Sequence, residues 1–122
     1  MNDERINENL IVKLSFEFAL QIVKYAELLE EKRKFVLANQ LLKSGTSIGA
    51  NIWEAQNSES KADFIHKMKI SAKECEETKY WLLISKHSEN YPTIGDLLDK
   101  IESIQKVLNK IIATTKQKII SR

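Results

Sequence analysis

The stretch Leu41–Ala55, LLKSGTSIGANIWEA, keeps a helical period while carrying glycines and small polar residues where an ordinary core helix carries branched aliphatics. Leu41, Ile48, Ile52 and Ala55 recur at helical spacing, and Ser44, Ser47, Asn51 and Glu54 form a second stripe beside them at intervals of three, four and three. Each glycine in a helix interior costs about 1 kcal/mol relative to alanine. Gly45 and Gly49 therefore point to a helix whose backbone is approached closely by a neighbour.

Working outward, three glycines and one proline in 122 residues leave few places to turn. Four helices are expected, at about 6–31, 34–56, 61–86 and 94–119, within one domain spanning 1–122. The first carries Leu10, Leu14, Phe18, Ile22, Tyr25 and Leu29 on one stripe and meets the charged turn EEKRK. Ser60 with Asp63, and Thr93 with Asp96, read as capping boxes that open the third and fourth helices. The third turns Phe64, Met68, Ala72, Cys75 and Leu82 inward; the fourth, Leu97, Ile101, Ile104, Leu108, Ile111 and Thr115. Short connections between long amphipathic helices predict an all-α, antiparallel up-and-down four-helix bundle.

Apolar residues exceed what one bundle core requires. Ile11, Val12, Phe16, Leu20 and Val23 lie off the main stripe of the first helix, and Trp53, Ile70 and Trp81 flank the other stripes. Self-association is the expected use of this surface, with Phe16, Trp53, Ile70 and Trp81 in the interface. Ser44, Ser47, Asn51 and Glu54 are expected to meet Glu74 and Glu77 of the third helix in a polar network that fixes helix register, a ligand site being the alternative use of the same groups.

Catalytic patterns find little support. A carboxylate-bridged metal centre in a bundle needs two Glu-x-x-His pairs; Asp63 and His66 make one imperfect pair, and His87 has Ile84 three residues before it. Cys75 stands alone, with no CxxC partner, and reads as a small core residue. SGTSIGA lacks the Gly-Lys-Ser/Thr arrangement of a phosphate loop. No catalytic residue, metal or cofactor is expected. The polar, acidic opening MNDERINEN is unlike a signal peptide, and no apolar run reaches membrane-span length, so a cytoplasmic location with no membrane partner is expected.

Charge gives the clearest hint of a partner. Net charge is +2, but residues 103–122 hold Lys106, Lys110, Lys116, Lys118 and Arg122 with no acid, +5, whereas residues 1–102 hold 14 basic and 17 acidic residues, −3. Together with Lys32, Arg33 and Lys34 of the EEKRK turn, these are the candidate phosphate contacts, and no residue suggests base reading. The bland alternative is that the lysines complement a helix dipole and solubilise a surface.

QLLKSGTSIGANIWEA and DFIHKMKISAKECEETKYWL, in that order, resemble the four-helix-bundle family encoded by intervening sequences within bacterial 23S rRNA genes. The matching positions are Ser44, Ser47, Ile48, Asn51, Ile52 and Glu54, then Phe64, Glu74, Glu77, Tyr80 and Trp81. The resemblance implies a homopentamer of up-and-down bundles. It extends to accessory proteins of diversity-generating retroelements, whose basic pentameric barrels contact nucleic acid and a reverse transcriptase. Two functions are thereby expected in competition: a non-enzymatic oligomer that binds structured RNA through its basic carboxyl-terminal surface, or an oligomeric protein-interaction scaffold.

Overall fold

The computed structural model describes residues 4–120. Its helices are α1 (Glu4–Glu8), α2 (Leu10–Glu31), α3 (Phe35–Ala55), α4 (Lys61–His87) and α5 (Leu97–Ile120). The four long helices touch in the cycle α2–α3–α4–α5–α2, and α1 packs on α2. The backbones of the diagonal pairs, α2 with α4 and α3 with α5, do not approach one another closely. Consecutive neighbours joined by short connections, with the last helix closing on the first, make the up-and-down bundle.

The first expected helix is divided. Asn9 takes an extended conformation, and its side chain accepts hydrogen bonds from the Ile11 and Val12 amides, capping α2 and leaving Glu4–Glu8 as a separate turn. The core phase differs accordingly: Ile11 and Val12 are buried, whereas Leu10 is exposed. Successive i,i+4 steps over-rotate by about 40° each in a helix of 3.6 residues per turn, so Leu10 has drifted off the face that Phe18 centres, while Ile11 falls back on it. Ser60 caps α4 as expected, its hydroxyl accepting from the Asp63 amide at 3.0 Å. The last helix starts at Leu97 rather than near Ile94, the Asp96 carbonyl accepting its first bond from Lys100.

Phe18, Ile22, Leu29, Leu41, Ile48, Ile52, Met68, Leu82, Ile101, Ile104 and Leu108 fill the interior. The two glycines sit where α3 meets α2. A Cβ on Gly45 would lie 2.8 Å from Ile22 Cγ2 and 2.9 Å from Cγ1, and one on Gly49 would lie 3.3 Å from the Ser15 carbonyl oxygen. The helix-propensity penalty thus has a packing cause. No helix among the described residues is long and apolar enough to cross a membrane.

Gly45→Ala is expected to destabilise the fold by about 1–2 kcal/mol, because overpacking of a branched neighbour outweighs the helix-propensity gain. Urea unfolding of Gly45→Ala, Ile22→Ala and the double variant checks this: the double variant should lie above the sum of the singles by at least about 1 kcal/mol, since the alanine methyl fills space that Ile22 vacates. A Gly45→Ala protein as stable as the parent would contradict the close approach.

Candidate nucleic-acid interface

α5 is acid-free from Ser103 to its end, and Lys106, Lys110, Lys116 and Lys118 on it are all exposed. Arg122 lies outside the described residues. The register of α5 against α4 is fixed nearer the start of α5, where Lys79 Nζ lies 3.2 Å from Glu102 and 3.5 Å from Glu76, and Gln105 Nε2 donates to Glu76 Oε1 at 2.6 Å. The Gln105 amide and the Lys79 ammonium hold the Glu76 carboxyl below the usual range. Further along the antiparallel seam Lys116 meets Lys69 of α4; contact with Lys116 and repulsion from it lower the Lys69 ammonium pKa. Lys69 was not a candidate from sequence, because it sits in a stretch of ordinary mixed composition and only the packing of α4 on α5 brings it to the basic helix.

The other basic cluster lies elsewhere. Lys32, Arg33 and Lys34 form the α2–α3 turn, closed by bonds from the Arg33 amide to the Glu30 carbonyl and from the Lys34 amide to the Leu29 carbonyl, with Arg33 left-handed at φ 61. This is a Schellman closure with arginine in the usual glycine position. The Lys34 ammonium sits 4.8 Å from the Tyr91 ring centre in the α4–α5 connection. The turn therefore belongs to the end of the bundle where α5 begins, about 30 Å along α5 from Lys116. One chain does not merge the two basic groups.

The expected polar network is made by different groups. Ser44 is buried and accepts from Thr78 Oγ1 at 2.9 Å across α3–α4; Thr78 is also within 2.7 Å of the Glu74 carbonyl. Ser71 donates to the Ile48 carbonyl at 2.9 Å, and Tyr25 bonds both Ser85 and the Pro92 carbonyl. Ser47 and Asn51 donate only within their own helix, to the carbonyls of Lys43 and Ser47. Glu54 and Glu77 are exposed, and among the described residues no hydrogen bond joins Asn51 or Glu54 to Glu74 or Glu77. Hydroxyls stay neutral when buried, whereas carboxylates demand paired charge, so the interior ties fall to Ser and Thr. Burial, with repulsion from Glu77, raises the half-buried Glu74 carboxyl, and Lys43 opposes this.

Phe16 and Trp53 are about two-fifths exposed, and the Trp53 ring carries the Arg5 guanidinium at 4.0 Å, which also donates to the Trp53 carbonyl. Ile70 and Trp81 are half-buried on α4, Trp81 against the Tyr80 ring edge. Cys75 is fully buried, and burial pushes its thiol from 9.0 up to about 12, so it is no thiolate nucleophile at neutral pH. Among the described residues no group of three His, Cys, Asp or Glu is placed to hold a metal ion.

The arrangement is that of an all-helical, up-and-down bundle whose last helix is acid-free and lysine-bearing from Ser103 to its end. Residues 7–110 match the family described as 23S rRNA-intervening sequence protein, and the chain belongs to that family. A crystal structure of a protein of unknown function from the S23 ribosomal protein family of Bacteroides thetaiotaomicron VPI-5482 is similar, with 41% identity and a TM-score of 0.79, covering 84% of this chain and 97% of that one. No curated protein matches.

Because the folded Cys75 pKa lies above its unfolded value, its contribution to stability is complete below about pH 9 and is lost as pH rises toward about 12. The buried Tyr25 phenol, raised mainly by burial, acts in the same direction. Urea unfolding at pH 7.5 and 10.5 should show the parent losing up to about 2 kcal/mol more than Cys75→Ala, the amount a group of this shift releases part-way through its window. Equal losses would show that the thiol is not protected.

Proposed function

We propose that the chain is a non-enzymatic, cytoplasmic homo-oligomer that binds structured RNA through the basic surface of α5. The observation that carries this reading is the acid-free run of α5 with four exposed lysines, none of which has an ion pair among the described residues. Such a surface binds phosphates by charge and selects by shape, and the chain offers no convincing base reader. The family's name associates it with 23S rRNA, which favours RNA over DNA; a family name containing "ribosomal protein" is no argument for a place in the ribosome.

Self-association draws on two unlike faces. By helical spacing, Phe16, Leu20 and Val23 of α2 adjoin Leu42 and Trp53 of α3 on one side, while Ile70 and Trp81 flank the α3–α4 side; the Trp81 indole N–H is buried without an acceptor among the described residues. Unlike faces suit a heterologous contact, which closes into a ring, and the pentamer is carried over from the family resemblance. In a ring the α5 surface repeats about the axis, and weak phosphate contacts add. The same apolar faces favour a second reading, an oligomeric protein-interaction scaffold in which the lysines only solubilise.

Fluorescence anisotropy with an RNA hairpin discriminates them. About four phosphate contacts should weaken binding about 100-fold between 50 and 200 mM salt, and replacing Lys106, Lys110, Lys116 and Lys118 by Gln should abolish binding while sedimentation velocity shows the oligomer unchanged. Undiminished binding by the quadruple variant, or none by the parent at 50 mM, would sink the RNA reading. A parent that sediments as a 14.1 kDa monomer would sink the oligomer.

A further inference from the structure

The four seams of the bundle are not tied alike. α3 and α4 share the Ser44–Thr78 and Ser71–Ile48 bonds, α4 and α5 share the Lys79–Glu102 ion pair and the Gln105–Glu76 bond, and α2 lies against α3 at the two glycines. Among the described residues, no hydrogen bond or ion pair joins α2 to residues 97–116 of α5. That seam holds instead an open cleft of about 150 Å3, floored by Leu14, Phe18 and Ile104 and edged by Gln21 and Ser103. The Gln21 side-chain oxygen is buried without a donor, and Ser103 donates only to the Asp99 carbonyl of its own helix.

The two ends of the seam also differ. Where α5 begins, the Tyr25 hydroxyl of α2 bonds Ser85 and the Pro92 carbonyl, and Lys34 lies on the Tyr91 ring. At the other end α1 leaves the line of α2 at Asn9, and Arg5 goes to Trp53 of α3. The antiparallel alignment that brings Phe18 and Ile104 into one cleft sets the start of α2 about level with Ile112, so about two turns of α5 run on past it. Exposure along the inward stripe of α5 follows, at 0% for Leu108, 9% for Ile112 and 42% for Ile119.

We propose that the bundle opens along the α2–α5 seam, α5 swinging away from α2 about its own first turn while α2, α3 and α4 keep their packing. The pivot has a residue suited to it: Gly95, left-handed at φ 58, follows the buried Ile94, and a Cβ built on it would meet nothing within 4 Å. Glycine is required there by conformation and not by crowding, and a residue in open space changes φ and ψ without displacing neighbours. The ion pair of α5 with α4 is exposed at Glu102 and holds the helix weakly. Opening hydrates the stranded Gln21 oxygen, which offsets part of the cost of baring the apolar stripe. Burial alone keeps the seam shut, with no directional bond to lock it. The helix that moves is the one bearing the exposed lysines, and the hinge stands whether or not those lysines bind RNA.

Native-state hydrogen exchange of the full chain, read by NMR in water and in low urea, tests this. Amides of residues 101–112 of α5 should exchange through one shared opening, at least about 30-fold more often than those of residues 41–52 of α3, and with a weaker urea dependence, because only part of the buried surface is bared. Gln21→Leu, which removes the stranded oxygen and fills the cleft, should slow exchange of the α5 amides at least about 5-fold. Equal protection and equal urea dependence in α5 and α3 overturn the hinge, and so does weak protection confined to residues after Ile112, the mark of a fraying end. So does α5 exchange that Gln21→Leu leaves unchanged in a variant whose circular dichroism matches the parent, since the opening then lies in another seam.

Discussion

The close approach of α3 to α2 is the constraint on which the bundle is built. With no side chain at Gly45 and Gly49, the α3 backbone settles against Ile22 and Ser15, and the larger residues one turn away, Leu41, Ile48 and Ile52, reach the centre without voids. Ser15 can be buried there because its hydroxyl donates to the Val12 carbonyl of its own helix at 3.1 Å. An alanine at either position would force Ile22 or the Ser15 backbone to give way, loosening the α2–α3 contact. Leu42 and Trp53 of α3 and Phe16 and Val23 of α2 lie outside that core and are exposed.

α4 meets a different demand. Its buried stripe mixes Met68, Cys75 and Leu82 with Ser71, Thr78 and Ser85, which makes it the least amphipathic of the long helices in sequence. Each of those hydroxyls has a partner: Ser71 and Thr78 tie α4 to α3, and Ser85, with Tyr25 and the Pro92 carbonyl, ties it to α2 and to the α4–α5 connection. Satisfied neutral donors fix the rotation and height of a helix without the desolvation cost of carboxylates, a role that a purely aliphatic stripe fills less specifically. Glu74 and Glu77, at the edge of this face, remain where water can reach them.

Most of the fold was legible because helical period, capping residues and scarce turn formers agree with one another. Ser60 shows this: its hydroxyl, the Asp63 that follows and the apolar pattern beyond all mark the same start. Asn9, read only as part of a helix over 6–31, caps α2 and divides it, and the accumulated rotation of i,i+4 steps places Ile11, and not Leu10, on the core face. The candidate network failed for a different reason. Helical spacing correctly put Ser44, Ser47, Asn51 and Glu54 near one another, on a stripe about 80° wide beside the apolar one, but sequence alone does not say where the buried edge falls; only Ser44 crosses it. The lysines of α5 were plain in the charge count, whereas Lys69 becomes notable only when α4 and α5 are laid antiparallel.

The division of the α4–α5 seam bears on why a one-signed surface persists in a bundle that has acids to spare. Seventeen carboxylates are available in the chain, and none lies in residues 64–73 or 103–120. Like charges gathered at one end oppose folding weakly, since exposed ammonium groups are hydrated and screened within about 8–10 Å by salt. The opposition is small enough for a core of this size to carry, but it has no structural return: the other half of the seam already fixes helix register with the Lys79–Glu102 ion pair and the Gln105 amide on Glu76. The cationic half therefore adds little to what holds the bundle, and its exposed ammonium groups are the observation on which the proposed phosphate-binding role of α5 rests.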